Sequence, residues 1–227
     1  MPRYIEELVS QQVRRSELAR RRRGEEGEAG VRPVVTISRR MGSGARIIAA
    51  KLASELGWSL WDKELIDAIA EHADVSRRVV ETFDEKTISE IEVFARSVLG
   101  DVELGGFLYP RHLARAVASI ARLGNAIILG RGANFLLPDA LNIRIDASER
   151  TRIHNMMTYE NLTREQAEAK IRASDREREH FLVSMFGRER VQRCTYDLTI
   201  CTHHFSNDDA VEIIKTAIRR RFGISNH

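Results

Sequence analysis

Short apolar runs alternate with helical patterns along residues 34–227, and these runs are the clearest structural signal in the chain. Several of them are almost continuously apolar, which is typical of parallel strands that helices cover on both faces. The pattern therefore predicts an α/β core around a five-stranded parallel sheet. The predicted strands are "VVTI" (34–37), "SLW" (59–61), "AIIL" (126–129), "LNIRI" (141–145) and "LTIC" (198–201).

Helical periodicity fills the segments between these strands. One helix is predicted over Ala45–Leu56, with Gly57 in the position that ends it, and another over Lys63–His72. More than sixty residues separate the second and third strands, too many for a simple crossover, so a helical insertion is predicted at about 74–122. In a sheet of this kind the ligand crevice lies outside the carboxyl ends of the strands.

Residues 1–33 follow a different pattern. Apolar side chains recur at helical spacing from Ile5 to Val13, and "GEEGEAGVRP" then has the composition of a linker, which predicts an amphipathic helix and a joint ahead of a domain at 34–227. The helix could pack across that domain or join two subunits in a homo-oligomer. Its arginines could contact nucleic acid, but interspersed glutamates dilute the basic field, so nucleic acid is not expected as a partner.

Composition narrows the class of protein. The chain of 227 residues is 43% hydrophobic and 30% charged, which fits one globular domain with appendages. Its basic residues are almost all arginine, which suits bidentate binding of phosphate, although genomic base composition explains the bias equally well. Cys194 and Cys201 have neither metal-ligand nor C-x-x-C spacing, and no apolar stretch approaches membrane-spanning length. A cytoplasmic protein with no membrane partner is predicted.

The segment "TISRRMGSGARIIAAKLASELGW" (36–58) has the layout of a phosphate-binding loop: a strand, a glycine turn and a helix. The standard loop reads G-x-x-x-x-G-K-[ST]. With Gly44 on its second glycine, the first glycine becomes Arg39, the lysine Ala45 and the hydroxyl residue Arg46. A generic glycine turn would explain the pattern as well, but "MGSGA" can direct several amides and a helix N-terminus at one anion. Arg46, and Arg39 or Arg40, could supply the positive charge.

Further motifs follow in order: "WDKELI", "AIILGRGANFLLPDALNIRIDAS", "KIRASDREREHF" and "YDLTICT". Together with "GSGAR", they make the chain from about Val34 to Gly223 resemble the cytidylate kinase-like family, a branch of the P-loop nucleoside monophosphate kinases. That family shares the absence of the loop lysine and the arginine near position 46. True cytidylate kinases carry the lysine, and an aspartate in place of Gly132, so the resemblance supports the kinase fold more than specificity for CMP.

The resemblance implies an ATP-dependent phosphotransferase that acts on a nucleoside monophosphate or a similar small phosphate acceptor, with Mg²⁺. The helical insertion would bind the acceptor, and an arginine-rich lid at about 163–190 would close over the transferred group. No residue is assigned as a direct metal ligand. The implied catalytic residues are Arg46, Arg172, Arg176, Arg178 and Asp62; the ATP-binding residues are Gly42, Ser43, Gly44, Ala45, Arg46, Ile47 and His203; the acceptor-binding residues are Arg39, Asp62 and Arg131.

Each assignment has a structural alternative. The lid could be an ordinary charged helix with i,i+4 ion pairs, Asp62 could simply cap a helix, and His203 could be a solvent-exposed loop residue. For the whole protein, the alternative is a noncatalytic nucleotide-binding regulator with a degenerate loop. A third reading makes the basic N-terminal arm an adaptor for nucleic acid or a protein partner.

Overall fold

The computed structural model describes residues 3–22, 32–99 and 108–224. Most of the predicted linker, and the part of the insertion at 100–107, lie outside the described residues. No helix among the described residues is long and apolar enough to cross a bilayer.

The centre of the fold is a parallel sheet of five strands, which confirms the predicted α/β class. The strands lie in the order β2-β3-β1-β4-β5, and each neighbouring pair is parallel. Their positions follow the apolar runs because a strand covered on both faces must be apolar on both faces. The strands are β1 (Val34–Arg39), β2 (Ser59–Trp61), β3 (Ala126–Leu129), β4 (Leu141–Asp146) and β5 (Leu198–Cys201).

Helices cover both faces of the sheet and form the insertion between β2 and β3. The described helices are α1 (Arg3–Arg22), α2 (Ala45–Leu56), α3 (Lys63–Glu71), α4 (Ala73–Val80), α5 (Glu85–Leu99), α6 (Tyr109–Leu123), α7 (Ala133–Leu136), α8 (Glu149–Glu160), α9 (Arg164–Phe186), α10 (Arg188–Gln192) and α11 (Asn207–Phe222).

The sheet separates two apolar cores. On one face, Val34 and Ile128 pack with α3 and α6, while on the other face Ile37 and Ile143 pack with α2 and α11. The two tryptophans are fully buried, Trp61 in the first core and Trp58 in the second. They are therefore core residues, as aromatic side chains beside a sheet usually are.

The N-terminal helix packs against the same chain. Val9 and Val13 are buried in the core that α3 and α6 share. Gln12 Oε1 accepts a hydrogen bond from the Leu60 amide at 2.9 Å, and Ser16 Oγ donates to Ser59 Oγ at 2.8 Å. Helix α1 thus covers the open edge of β2, whose amides would otherwise be exposed. A homo-oligomer through α1 stays a prediction, since the apolar stripe already has an intrachain partner.

The carboxyl ends of the strands meet at one edge of the sheet. The register aligns Ile37 with both Leu129 and Ile143, so β1 and β3 end side by side and β4 ends close to them. A separate cavity of about 590 Å³ lies at the opposite, amino edge and is lined by residues such as Val34, Ile91 and Pro138. The candidate chemistry lies at the carboxyl edge.

Candidate active site

The turn between β1 and α2, residues 40–44, is built from two glycines with positive φ. Gly42 has φ of 79° and Gly44 has φ of 76°, a region that favours glycine. A Cβ at Gly42 would lie 2.6 Å from the Arg152 carbonyl oxygen, and one at Gly44 would lie 2.7 Å from Asn207 Oδ1. Both glycines are therefore required by conformation and by close packing; we call this turn the phosphate loop.

Three side chains from other elements hold the carbonyl groups of this loop. Arg152 Nε donates to the Met41 carbonyl at 2.6 Å, Asn155 Nδ2 to the Gly42 carbonyl at 2.8 Å, and Thr202 Oγ1 to the Ser43 carbonyl at 3.0 Å. All three donors lie outside the loop, so they fix its carbonyl groups in place.

Most backbone amides of this loop, unlike its carbonyl groups, have no hydrogen-bond partner in the described chain. Within residues 3–22, 32–99 and 108–224, the structure records no acceptor for the amides of Gly42, Gly44, Ala45 and Arg46. The last two begin α2, where the first amides of a helix have no intrahelical partner. Unpartnered amides next to a helix N-terminus form a binding site for an anion. The Ser43 hydroxyl is already used, since it donates to the Arg40 carbonyl at 2.8 Å.

Arginines from four segments surround the loop. Arg39 ends β1, Arg46 is in the first turn of α2, Arg131 follows β3, and Arg178 is on α9. Burial, together with the charges of Arg178, Arg46 and Arg131, lowers the pKa of Arg39 to about 10, while Asp62 opposes the shift. A guanidinium group whose pKa depends on three other arginines lies in a strongly positive region, which suits an anionic ligand.

Arg46, placed by sequence as the substitute for the lysine, points into solvent. Its side chain is 73% exposed and lies 3.3 Å from Asp62 Oδ2 and 3.8 Å from Glu64 Oε1. Asp62 also caps α3, because its Oδ1 accepts from the amides of Glu64 and Leu65. The capping alternative for Asp62 is therefore present in the structure, and its second oxygen remains directed at Arg46. Ala45, in the place of the lysine, is buried, and Ile47 is partly exposed.

Arg131 lies in a second glycine turn, residues 130–132, which follows β3. It has a positive φ of 52°. Its Nη2 is paired with Asp67 Oδ2, and its guanidinium carbon lies 4.8 Å from the centre of the Phe181 ring. Its buried Nε has no acceptor among residues 3–22, 32–99 and 108–224. Asp67 also accepts from the Tyr109 hydroxyl at 2.8 Å. Burial and that hydrogen bond raise the pKa of Tyr109 well above its ordinary value.

The arginine-rich helix α9 packs across the phosphate loop. Asp175 accepts from Arg152 Nη2 at 2.8 Å and from Arg40 Nη2 at 3.1 Å, and Arg178 Nη1 donates to the Arg39 carbonyl at 2.9 Å. Burial, with the neighbouring Arg152, lowers the pKa of Arg178, against the opposing effect of Asp175. Thr163 and Gln166 form a capping box at the start of this helix.

The other two lid candidates do not reach the loop. Arg172 is exposed and lies 3.6 Å from Glu168, an i,i+4 pair of the kind the structural alternative describes. Arg176 is also exposed, and for the described part of the chain no ion pair or hydrogen bond joins it to the phosphate loop. Of the three, the geometry brings only Arg178 to the site.

The adenine-binding candidate His203 lies beyond β5 on the surface. Its Nδ1 accepts from the Ser148 amide at 3.3 Å, and its ring centre is 4.0 Å from that of His204. Both rings are exposed. The role of His203 in binding a base stays a prediction.

Sequence reasoning missed the residues that support the loop. Arg152, whose side chain is only 2% exposed, lies on a helix without a clear apolar stripe, so no local pattern marks it as buried. Asn155 lies three residues further along the same helix, and Asp67 lies in the predicted helix after Asp62. Thr202 directly follows β5 at the carboxyl edge, which topology alone could have indicated.

The donor groups at this edge fit the phosphates of a nucleotide. A magnesium ion that arrives with them needs only one or two carboxylates from the protein. No group of three or more potential metal-ligating side chains occurs among residues 3–22, 32–99 and 108–224. Both carboxylates already have partners: Asp146 accepts from Arg144 and from the Ala147 amide, and Asp62 accepts from Arg46 and from two amides of α3. Contact between Asp62 and such an ion stays a prediction.

Known proteins resemble this chain in sequence and in fold. Residues 34–204 match the cytidylate kinase-like family. A cytidylate kinase of Pyrococcus furiosus is 27% identical over 189 residues, which are 82% of this chain and 88% of that protein. A cytidylate kinase of Pyrococcus horikoshii is 26% identical over 186 residues, with the same two coverages of 82% and 88%.

A crystal structure gives an independent comparison of the fold. An uncharacterized protein from Eubacterium ventriosum superimposes with a TM-score of 0.61 over 84% of this chain and 99% of that one, at 22% identity. At that identity the likeness shows a common fold and nothing about activity.

Proposed function

The chain belongs to the cytidylate kinase-like family, and we propose that it is an ATP-dependent phosphotransferase that transfers the γ-phosphate to a nucleoside monophosphate or similar small phosphate acceptor. The observation that carries this proposal is the phosphate loop, whose carbonyl groups are held by Arg152, Asn155 and Thr202 while its amides have no recorded acceptor in the described chain. Such a loop binds phosphate without a lysine.

The proposed roles follow from position. The amides from Gly42 to Arg46 bind the donor phosphates, with Arg46 as an outer positive charge. Arg178 stabilises charge on the transferred group, and Arg131 holds the acceptor phosphate. Mg²⁺, when bound with ATP, would neutralise charge on the phosphates, with Asp62 as the carboxylate proposed to contact it.

The transfer needs little covalent chemistry from the protein. An acceptor phosphate oxygen attacks the γ-phosphorus, the bond from that phosphorus to the β–γ bridging oxygen breaks, and ADP leaves with the electron pair. The protein's part is to align these groups and to stabilise their negative charge, which arginines with few competing carboxylates can do.

The test of the function is an acceptor panel. Purified protein, ATP and Mg²⁺ are incubated with nucleoside monophosphates and small phosphorylated hydroxyl compounds, and ADP formation is followed. Turnover that requires an acceptor is the expected result, with CMP as the first candidate because the curated relatives are cytidylate kinases. ATP binding without turnover on any acceptor would favour the noncatalytic nucleotide-binding regulator instead.

The proposed lid chemistry is tested by alanine variants of α9. Arg178→Ala is expected to lower kcat by roughly a thousandfold, the scale of other arginines that act on the transferred phosphoryl group, with little change in ATP affinity. Arg172→Ala and Arg176→Ala are expected to have much smaller effects, because both side chains are exposed. Arg164→Ala, an exposed arginine paired with Glu168, is the control for net charge. A larger loss from Arg172 or Arg176 than from Arg178 would contradict the assignment.

A further inference from the structure

The positive charge of the missing lysine has no direct replacement in the loop itself. Ala45 is buried and has no side chain to extend. Arg46 extends into solvent between two carboxylates, which neutralise much of its charge. Solvent screening weakens such an exposed group further. A stronger source of charge should be less exposed and free of carboxylate partners.

Arg39 has those properties, and its position depends on a glycine. Its guanidinium Nη1 donates to the Leu129 carbonyl at 3.2 Å. A Cβ at Gly130 would lie 1.8 Å from that same Nη1, so a larger residue at 130 would displace the guanidinium from this position. Gly130 has φ of 92°, which also favours glycine. The side chain therefore lies at the junction of the phosphate loop and the Arg131 turn.

Arg39 has no ion-pair partner in the part of the chain that the structure describes, although the more distant Asp62 stabilises its charge. No carboxylate oxygen of residues 3–22, 32–99 and 108–224 lies within 4.0 Å of its guanidinium, whereas Arg40, Arg46, Arg131 and Arg152 each have such a partner. Its pKa, although lowered to about 10, keeps it charged at neutral pH. A partly buried charge that is repelled by other cations is unfavourable unless a ligand supplies the opposite charge.

We propose that Arg39 takes over the role of the missing lysine and binds the phosphoryl group that passes from the donor to the acceptor. This inference rests on the proposed function. From the end of β1, Arg39 approaches the transferred group from the side of the Arg131 turn, whereas a loop lysine would approach from α2. Its planar group can bind two phosphate oxygens at once. Arg178, which donates to the carbonyl of Arg39, links the lid helix to the same residue.

The test uses inorganic tripolyphosphate as a probe, so that it does not depend on turnover. Calorimetry at fixed ionic strength compares the wild type with Arg39→Gln, Arg39→Lys and Arg46→Ala. Glutamine removes the charge and keeps a polar amide on a shorter side chain, whereas lysine keeps the charge without the planar group. Arg150→Ala, an exposed arginine on α8, controls for net charge. Thermal melting of the unliganded proteins is measured in parallel.

Arg39→Gln is expected to weaken tripolyphosphate binding roughly 10- to 100-fold, as expected for losing a charge-assisted hydrogen bond. Arg39→Lys and Arg46→Ala should each lose less affinity for tripolyphosphate than Arg39→Gln does. Arg150→Ala should bind tripolyphosphate with normal affinity. The melting temperature of Arg39→Gln should equal or exceed that of the wild type, because the substitution removes a positive charge that neighbouring arginines repel.

Three results would overturn the inference, and they are distinguishable. If the wild type binds tripolyphosphate and Arg39→Gln binds it within about threefold as well, Arg39 is not the substitute, while the proposed function survives. If the wild type itself does not bind tripolyphosphate, the proposed function fails together with the role of Arg39. A loss of binding that comes with a clearly lower melting temperature in both Arg39 variants would make Arg39 a structural residue.

Discussion

Two glycine turns follow neighbouring strands at the carboxyl edge of the sheet, and they hold their polar groups in opposite ways. In the phosphate loop after β1, other elements bind the carbonyl groups, and the described chain offers no acceptor to the amides of Gly42 and Gly44. In the turn after β3, Arg131 is already paired with Asp67 and lies against Phe181.

This difference predicts that the two turns bind phosphate in different ways. The first turn is preorganised for an anion, since nothing needs to leave before phosphate binds. In the second turn, Asp67 is paired with Arg131, so an acceptor phosphate that binds Arg131 as we propose would have to compete with Asp67 or displace it. Donor binding is therefore expected to depend on the rigidity of the first turn, and acceptor binding on an exchange of partners in the second.

The largest expected effect comes from removing the support of the first turn. Arg152→Ala leaves the Met41 carbonyl without its donor and removes the buried partner of Asp175. We expect a loss of about 2–4 kcal/mol in the free energy of unfolding, together with weak ATP binding. Chemical denaturation measures the first and calorimetry the second.

The control for this variant is Arg150→Ala, an exposed arginine on the same helix, which should change stability by less than about 0.5 kcal/mol. An Arg152→Ala protein with normal stability and normal ATP affinity would show that the loop does not need this support.

Alanine at the glycines compares the rigidity of the two turns directly. Gly42→Ala meets a backbone oxygen at 2.6 Å, whereas Gly132→Ala meets the edge of the Phe186 ring at 2.3 Å. Because a side chain can move more readily than backbone, we expect a loss of about 2–3 kcal/mol at Gly42 and about 1–2 kcal/mol at Gly132.

Gly223→Ala is the matched control for these two variants. It has a positive φ of 65° with nothing within 4 Å, so it isolates the conformational cost of alanine, about 1 kcal/mol. Equal losses at Gly42 and Gly223 in thermal or chemical unfolding would mean that the close approach of Arg152 is not a rigid constraint.

The smallest expected effect concerns the second turn. Asp67→Asn removes the charge that holds Arg131 but keeps an acceptor for the Tyr109 hydroxyl. With Arg131 freed for the acceptor phosphate, the acceptor KM should fall several-fold, about 1 kcal/mol, while kcat changes little. Steady-state kinetics with the acceptor found in the panel measures both constants.

Asp74→Asn, an exposed carboxylate on α4, is the control and should leave KM unchanged. A rise in KM for Asp67→Asn would show that Asp67 positions Arg131 for the acceptor, rather than competing with it.

The fold was largely predictable because its signals are local. Apolar runs matched β2, β3 and β5 at both ends, and β1 and β4 extend only slightly beyond the predictions. The capping box at Thr163 and the end of α2 at Gly57 are also encoded by neighbouring residues. The composition of the insertion predicted helices there but could not give their packing.

The candidate site was predictable only in outline. Sequence identified the glycine loop and the arginines, and it named Arg46 first, with Arg39 or Arg40 as further sources of the positive charge. In the structure, Arg46 is exposed beside Asp62 and Glu64, whereas Arg39 lacks a carboxylate partner among the described residues. Proximity in the motif did not reveal which arginine is neutralised, because the neutralising carboxylates lie on another helix.

The sequence by itself determined the strands, the bounds of α2, the start of α3, the position of the phosphate loop and its family, since each depends on residues within a few positions of one another. Only the tertiary structure determined the contacts between distant residues. Arg152 is hydrogen-bonded to the loop, Asp67 is paired with Arg131, and Arg39 packs against Gly130. These contacts join residues that are far apart in the chain. A guanidinium group is a binding site or a structural ion pair according to the carboxylates around it, and only folding brings those together.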